Sequence, residues 1–264
     1  MADDLHEEAW WESNDDKQKI SKKAQKRKHA PEVLDEASST TNSDKSVKKK
    51  KKKKSHTAKK NGNTEESSID NTTLWKYFLR ETKGRLSEIE LEELATDESQ
   101  YLAFEKLPVT LDQLSASLKK AIPNWEKNLS SVKESDKGCP LLLIITGSAI
   151  RCVDLLREIK PFRTSQCKTA KLFAKHFKLE EQQHYLTKAV VHICAGTPNR
   201  ILKLASNGYL KFKKLKYVLI DWSFKDAKQR QMVDIKEVKS DFNQLLQLEI
   251  LPRINKRKVQ FTLF

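Results

Sequence analysis

Cysteine is scarce in this sequence, and its spacing excludes common cysteine chemistry. The 264 residues include four cysteines, and no two are close enough for the C-x-x-C pair of a zinc site or a redox couple: Cys139, Cys152, Cys167 and Cys194. His192 and Cys194 lie two apart in a predicted strand and share a face, which resembles half of a metal site. No second ligand pair follows, so we favour two half-buried strand residues and expect no metal.

Long apolar runs are also missing. The longest, from Pro140 to Ile145, has the length of a strand, whereas a membrane-spanning helix needs roughly 20 apolar residues. The opening from Met1 to Trp11 is acidic and lacks the basic start and apolar core of a secretory signal. We therefore expect an intracellular protein with no membrane partner.

Glycine is scarce as well, and no glycine forms the phosphate-binding loop of an ATPase. A Walker A loop requires Gly-Lys followed by Ser or Thr. The six glycines instead precede Asn63, Arg85, Cys139, Ser148, Thr197 and Tyr209. We therefore expect no cofactor, no small-molecule substrate and no enzymatic activity, although this pattern leaves residual nucleotide binding open.

Positive charge is abundant, and most of it lies in the C-terminal half. The chain carries 51 basic and 36 acidic side chains, a net charge of +15. Residues 1–70 contribute +3, residues 71–138 contribute −2 and residues 139–264 contribute +14. A charge of +14 on one body exceeds what solubility requires and indicates a polyanionic partner.

The first 70 residues have the composition of a disordered tail. Seven acids precede two basic clusters, Ser21–His29 and the seven lysines Lys48–Lys54. The few scattered apolar residues cannot offset the entropy of ordering this stretch, so we predict disorder for residues 1–70. The clusters are typical of nuclear or nucleolar import signals and equally of phosphate-binding arms, with a merely solubilising tail as the alternative.

Two adjacent tryptophans stand out in the acidic opening. Trp10 and Trp11 are flanked by Glu7, Glu8 and Glu12. Tryptophans in a solvated tail gain nothing unless a partner's groove receives them, so we hypothesise a short partner-docking peptide. Incidental composition is an equally weighted alternative.

Residues 71–138 have the pattern of a helical segment that packs on a larger body. Apolar residues that include Leu74 and Ile89 recur at helical spacing, and Gly84 divides the pattern into two helices. A third helix is predicted after the capping box formed by Thr110 and Gln113, and Pro123 marks its end.

Residues 139–264 alternate between strand and helix patterns. A buried strand in PLLLIITG is followed by a helix with Ile150 inward, and a second helical stretch runs from about Cys167 to Phe177. Strands in AVVHICAG and LKYVLID flank a further helix, and a helical stretch then leads to a last strand in KVQFTLF. The order β-α-α-β-α-β with short connections predicts an α/β domain, in which helices flank a mainly parallel sheet.

In open parallel sheets, ligands bind beyond the carboxyl ends of the strands. One junction after a strand, Gly196-Thr197-Pro198-Asn199-Arg200, begins a helix with Thr197 as N-cap and Pro198 at the first position. Such a helix N-terminus binds phosphate well, and Arg200 would reinforce it. Thr146, Gly147 and Ser148 offer a similar junction one or two strands away, and two such ends side by side could hold successive phosphates of one strand.

The same residues carry a resemblance to DEAD-box RNA helicases. The stretch from Ala189 to Asp221 resembles the segment that runs from the T-P-G-R motif to the strand bearing D-E-A-D, and PLLLIITGSAIRCVDLLREI resembles the element carrying P-T-R-E-L-A. The resemblance covers residues 139–264 and implies an incomplete first RecA-like lobe. It further implies that Thr146, Thr197, Pro198 and Arg200 grip the sugar-phosphate backbone of RNA.

Departures from that family argue against catalysis. Besides the missing Walker A loop, Trp222 follows Asp221 where the family has its catalytic glutamate, and we expect no second helicase lobe. Trp222 would fill the empty nucleotide cavity or, less favoured, stack on a base. Asp221 and Asp226 alone make a poor metal site.

Along nearly its whole length the sequence resembles a eukaryotic family of nucleolar proteins associated with the ribosomal small-subunit processome, the Cms-type small-subunit homologues. The resemblance implies a nuclear and nucleolar protein with pre-ribosomal RNA and nucleolar assembly proteins as partners. We therefore predict a non-catalytic RNA-binding ribosome biogenesis factor, with a protein-docking scaffold as the alternative. The predicted supporting basic surface comprises Lys203, Lys211, Lys213, Lys214 and Lys216.

Overall fold

The computed structural model describes residues 69–70, 72–102, 104, 110–256 and 258–264. The predicted tail, including its lysine clusters and the Trp10-Trp11 peptide, lies outside the described residues except at its last two positions. Those two belong to the folded part. Ile69 packs against the core, and the Asp70 carboxylate accepts hydrogen bonds from the backbone and the hydroxyl of Thr72.

A five-stranded parallel sheet forms the centre of the described fold. Its strands are β1 (Leu142–Ile145), β2 (Thr169–Leu172), β3 (Ile193–Gly196), β4 (Tyr217–Ile220) and β5 (Gln260–Leu263), in the spatial order β2-β3-β1-β4-β5. Every neighbouring pair is parallel. All residues of β1 and β3 are buried, as expected for central strands covered by helices on both faces. The predicted α/β architecture with a parallel sheet is confirmed.

Helices precede the sheet and connect its strands. Those before the sheet are α1 (Thr73–Thr82), α2 (Glu88–Leu94), α3 (Leu114–Ala121) and α4 (Trp125–Ser130). Those between strands are α5 (Ala149–Glu158), α6 (Leu179–Lys188), α7 (Pro198–Ser206), α8 (Lys236–Leu245) and α9 (Leu251–Asn255), with one π turn (Leu246–Ile250) joining α8 to α9. None of the helices in the described part of the chain is both long and apolar enough to cross a membrane.

The connection between β1 and β3 differs from the prediction. The segment from Cys167 to Phe177 was expected to be helical, but it contains the edge strand β2, and the helix follows as α6. Burial in β2 alternates, with Ala170 and Leu172 buried and Thr169 and Lys171 half-exposed. Burial that repeats every two residues indicates a strand with one face on the core. Because β2 has four residues, it shows this repeat only twice.

The helices before the sheet complete the hydrophobic core. Leu74 and Phe78 of α1 are fully buried in the core, and the Tyr77 hydroxyl donates a 2.8 Å hydrogen bond to Asn243 of α8. Gly84 lies between α1 and α2 and has φ of 73°, a left-handed backbone conformation that glycine adopts readily.

Two apolar residues predicted to face inward are exposed. Ile89 in α2 is 73% exposed and Ile150 in α5 is 63% exposed. In α5 the buried residues are Cys152, Leu155 and Leu156, so the inward stripe begins two residues later than predicted and leaves Ile150 on the opposite side.

Candidate nucleic-acid interface

Both predicted strand-end junctions lie together at one edge of the sheet. Since every strand is parallel, all strands end at this edge, which we call the carboxyl edge, and begin at the opposite amino edge. Thr146 follows β1 and Gly196 ends β3, and these strands are neighbours. The Thr146 backbone N–H donates a 3.1 Å hydrogen bond to the Gly196 carbonyl. The predicted proximity of the two junctions is therefore present.

The Thr146 side chain nevertheless faces the interior. It is fully buried, and its hydroxyl donates a 2.7 Å hydrogen bond to the Asp221 carboxylate at the end of β4. This placement corrects the expectation that the Thr146 side chain grips an RNA backbone, because the hydroxyl already has an internal partner and no solvent exposure.

Asp221 is the centre of a cluster that fills the carboxyl end of β4. Arg151 of α5 donates from Nε and Nη2 to the two carboxylate oxygens of Asp221, each at 3.2 Å. Burial raises the pKa of Asp221 above its ordinary value, while the hydrogen bonds from Arg151 and Thr146 lower it and so limit that rise. The Arg151 guanidinium also lies 4.7 Å from the ring centre of Phe224 and 5.4 Å from that of Phe264.

Trp222 packs within the fold. Its indole meets the ring of Tyr77 edge-on, with 5.2 Å between ring centres, and its backbone N–H donates to the Phe264 carbonyl at 2.8 Å. These contacts agree with the core interpretation of Trp222 and differ from an exposed stacking platform. They also show that α1, β4 and β5 meet at this end of the sheet.

Neighbouring segments cover much of the remaining carboxyl edge. Gly147 lies under Met232, and a Cβ on this glycine would stand 3.2 Å from the Met232 Cβ. Ser148 is half-exposed at the N-cap of α5, and its carbonyl accepts a hydrogen bond from the Cys152 N–H. A Cβ on Gly196 would lie 2.4 Å from the Leu172 carbonyl oxygen, so β2 closes over this position.

The helix start after β3 forms as predicted, with Thr197 half-exposed and Pro198 buried. Thr197 is the half-exposed N-cap of α7, Pro198 is the first helical residue, and the Thr197 hydroxyl makes no capping hydrogen bond. The Thr197 N–H donates to the Leu172 carbonyl at 3.0 Å. Asn199 is exposed and donates to Asp241 at 3.0 Å.

Arg200 is directed away from the predicted phosphate site. Only 8% of the residue is exposed, and Nη1 donates to the Gln182 side-chain oxygen at 2.7 Å and to the Phe177 carbonyl at 3.3 Å. Desolvation lowers the pKa of this guanidinium from its usual value. The expected role of Arg200 as an exposed phosphate ligand is thereby corrected, because its donors bind α6 and the loop before it.

The residues considered as a metal corner also have internal roles. His192 Nδ1 accepts a 3.0 Å hydrogen bond from the Lys168 N–H, and the Cys194 side chain is fully buried. Within the described residues, no group of three or more His, Cys, Asp or Glu side chains is arranged to hold a metal ion.

The predicted basic surface lies at the opposite, amino edge. Lys211, Lys213, Lys214 and Lys216 precede β4, and the segment from Leu248 to Val259 precedes β5. Because β4 and β5 are parallel neighbours, the segments leading into them meet at this edge. Between them lies an open groove with a volume of about 910 Å³, which we call the amino-edge groove.

Cationic side chains dominate the lining of the amino-edge groove. Its charged lining residues are one carboxylate, Glu249, and seven cations: Lys211, Lys213, Lys214, Lys216, Arg253, Lys256 and Lys258. Lys203, on the exposed face of α7, is not part of this lining. The structure therefore separates the predicted strand-end residues from the predicted lysines by the length of the sheet.

The cations of the groove differ in whether they have a partner. Lys214 forms a 3.2 Å ion pair with Asp136, and Arg253 forms a 2.9 Å ion pair with Glu249. Lys216 donates to the side-chain oxygen of Asn128. The remaining four cations have no ion pair with a carboxylate of the described residues: Lys211, Lys213, Lys256 and Lys258.

One wall of this groove was missed by the sequence-based prediction. Arg253, Lys256 and Lys258 belong to it, and their signal was the basic run Lys256-Arg257-Lys258 between a helix and the last strand. Only the pairing of β4 with β5 places Lys256 and Lys258 beside the Lys211–Lys216 segment.

A comparison with protein families identifies the chain. Residues 8–264 match the family described as CMS1: U3-containing 90S pre-ribosomal complex subunit. The chain belongs to this family. Similar curated proteins include Protein CMSS1 of Danio rerio, 37% identical across 75% of this chain and 65% of the relative. Protein CMSS1 of Homo sapiens is 38% identical across 67% of this chain and 61% of the relative.

Fungal relatives match as well. Protein CMS1 of Chaetomium thermophilum is 36% identical across 61% of this chain and 64% of the relative. In all three cases the match spans less than two thirds of the relative's length.

Solved structures of DEAD-box proteins resemble the fold more distantly. The yeast DEAD-box splicing factor Prp28 has a TM-score of 0.43 and 19% identity, covering 57% of this chain and 34% of its own. A DEAD box protein from Methanococcus jannaschii has a TM-score of 0.42 and 18% identity, covering 76% of this chain and 49% of its own. At these low scores we transfer no functional property from either protein.

Proposed function

We propose that this protein is a non-enzymatic ribosome biogenesis factor that binds RNA as part of a 90S pre-ribosomal complex in the nucleolus. The observation that carries the proposal is the family match across residues 8–264, since the family is described as a subunit of that complex. A role within this complex brings the protein close to RNA and to other assembly proteins.

The charge of the chain supports RNA as a partner. The net charge is +15, and the amino-edge groove concentrates seven cations around one carboxylate. Contacts between such cations and phosphates release condensed counterions, which makes affinity strong and salt-dependent.

Two observations support a role without catalysis. The sequence has no Walker A loop. The one acid that matches the D-E-A-D motif, Asp221, is bound on both carboxylate oxygens by Arg151 and is buried. A carboxylate engaged in this way is a poor ligand for the Mg²⁺ that phosphoryl transfer uses.

The experiment combines sedimentation with an activity assay. Tagged full-length protein should co-sediment with U3-containing 90S particles, and its purified form should bind single-stranded RNA with an affinity unchanged by ATP. RNA-stimulated ATP hydrolysis would contradict the non-enzymatic role. Absence from the particles would contradict the biogenesis role.

A second candidate function is a protein-docking scaffold without RNA contact through the folded domain. The observation that favours it is the exposure of two large apolar side chains, Ile89 and Ile150, each of which is available as an apolar anchor for a partner's pocket. Trp10 and Trp11 remain a predicted docking peptide. Replacing Ile89 and Ile150 by Ser should release the protein from the particles if docking dominates, whereas RNA affinity should not change.

A further inference from the structure

We infer that the amino-edge groove, rather than the carboxyl edge of the sheet, is where the folded domain holds the phosphate backbone of RNA. This inference rests on the proposed function and specifies its site. At the carboxyl edge, the Thr146 hydroxyl and the Arg200 guanidinium are occupied by Asp221 and Gln182. The amino edge provides a groove lined by accessible cations.

Unpaired charge is the first argument. Lys211, Lys213, Lys256 and Lys258 are all exposed, and none forms an ion pair with a described carboxylate. Like charges gathered around one groove repel one another, and their mutual repulsion is relieved when a polyanion binds. Two of these lysines come from each wall, so a strand lying in the groove would meet both sets.

Rigid walls are the second argument. The Lys211 N–H donates to the Gly138 carbonyl at 2.8 Å, and the Gln260 N–H donates to the Lys216 carbonyl at 2.8 Å. The Arg253 guanidinium lies 5.2 Å from the ring centre of Phe212. This contact joins the two walls of the groove. A groove held in this way binds its ligand with little ordering of its own backbone.

The lining favours a nucleic-acid backbone over an acidic protein segment. Leu248, at 55% exposure, is the large apolar residue that the groove exposes, so a peptide would find few apolar anchors. Strand addition to β5 is blocked because the Leu102 N–H already donates to the Phe261 carbonyl at 2.7 Å.

The same lining predicts binding without base recognition. Phe212 is buried and lies against Arg253, so it offers no open face for stacking, and lysines contact phosphates rather than identify bases. RNAs of equal length and different sequence should therefore bind with similar affinity.

The test compares two full-length variants that lose the same charge. The groove variant carries Lys211→Ala, Lys213→Ala, Lys256→Ala and Lys258→Ala. The control carries four changes to Ala at exposed lysines that follow the carboxyl ends of β2 and β4: Lys175, Lys225, Lys228 and Lys236. Affinity for a labelled 20-nucleotide oligouridine and for a mixed-sequence RNA is measured against salt, after circular dichroism has shown that both variants fold.

In the groove variant, the slope of log affinity against log salt should fall in magnitude by about 2.8, at about 0.7 for each of four phosphates. In the control variant, the magnitude of this slope should fall by less than half as much as in the groove variant. In the wild type, RNA should also protect the four groove lysines from chemical acetylation, which tests the site without any substitution.

Other outcomes separate the two proposals. Equal losses in both variants, or no loss in either while the wild type binds RNA, would overturn the groove as the site and leave RNA binding in place. No RNA binding by the wild type would contradict the proposed function itself. A groove variant that loses affinity for polyglutamate but not for RNA would assign the groove to an acidic protein segment and overturn the inference.

Discussion

Arg151 and Asp221 form a two-point ion pair that ties α5 to the carboxyl end of β4. Arg151 Nε and Nη2 each lie 3.2 Å from a different carboxylate oxygen, and the side chains of Arg151 and Asp221 are 14% and 0% exposed. The Thr146 hydroxyl completes the contacts of the carboxylate. This edge of the sheet is therefore held together by polar contacts that leave no free side chain for a ligand at Thr146 or Asp221.

Removing Arg151 should destabilise the protein strongly. Arg151→Met leaves the Asp221 carboxylate buried without its ion-pair partner, and we expect a loss of about 3–5 kcal/mol in the free energy of unfolding. Urea denaturation measures this loss. The control Arg157→Met, on the exposed face of α5, should cost less than about 1 kcal/mol. Adding Asp221→Asn to Arg151→Met should restore part of the stability, and equal losses for the two arginines would contradict the account.

Arg200 should matter for stability more than for RNA. Arg200→Met removes the 2.7 Å hydrogen bond to Gln182 and leaves a buried acceptor without that donor, which costs about 1–3 kcal/mol. RNA affinity, compared at equal folded concentration, should change by less than about twofold. The control Lys203→Met, exposed on the same helix, should alter stability by no more than about 0.5 kcal/mol. A large loss of RNA affinity with unchanged stability would restore the strand-end phosphate site.

A methyl group at Gly196 should disrupt the contact between β3 and β2. A Cβ there would lie 2.4 Å from the Leu172 carbonyl oxygen and 2.6 Å from the Leu172 Cβ. Relieving these contacts requires the backbone of β2 to move, which is costly in free energy. We expect Gly196→Ala to cost about 1–3 kcal/mol or more, measured as a lowered unfolding midpoint in urea. For Gly147→Ala, the three atoms nearest to the new Cβ all belong to Met232, at 3.2–3.3 Å, so this substitution should cost less. The reverse order would show that β2 does not close over Gly196.

His192 should make stability depend on pH. Burial, followed by the charge of Lys168, lowers the pKa of His192 below its ordinary value of 6.5, and Nδ1 must be unprotonated to accept from the Lys168 N–H. Below pH 6.5 the unfolded chain therefore binds the proton more readily, so stability falls as pH decreases towards the folded pKa.

Within that window, the contribution of His192 to the slope is at most about 1.4 kcal/mol per pH unit. His192→Gln should reduce the measured slope between pH 7 and pH 5. His184→Gln, at an exposed position, should leave the slope as in the wild type. Identical slopes for all three proteins would show that the pKa of His192 is the same in the folded and the unfolded protein.

How far the fold could be predicted depended on how strongly each strand is buried. β1 is recognisable because all its residues are apolar and buried, whereas the pattern around β2 predicts helix because only Ala170 and Leu172 of this strand face the core. The sequence pattern also predicts Thr146 and Gly196 at the same edge, one or two strands apart, since parallel strands end at one edge; the structure makes their strands neighbours.

The direction of side chains at those ends could not be predicted from the sequence. The partner of Arg200, Gln182, lies in α6, a helix that the pattern did not place correctly. Thr146 meets Asp221 across a separation of 75 residues. The groove likewise depends on which strand pairs with β5, a long-range choice that no local spacing records.

The most direct test of the central claim is crosslinking of the full-length protein to RNA within purified pre-ribosomal particles, with the crosslinked peptides mapped by mass spectrometry. The account predicts that, within the folded domain, crosslinks concentrate in residues 208–216 and 248–259, the two walls of the amino-edge groove. Crosslinks at Ser148 and Thr197 with none in the groove walls, or particles in which this protein contacts no RNA, would contradict it.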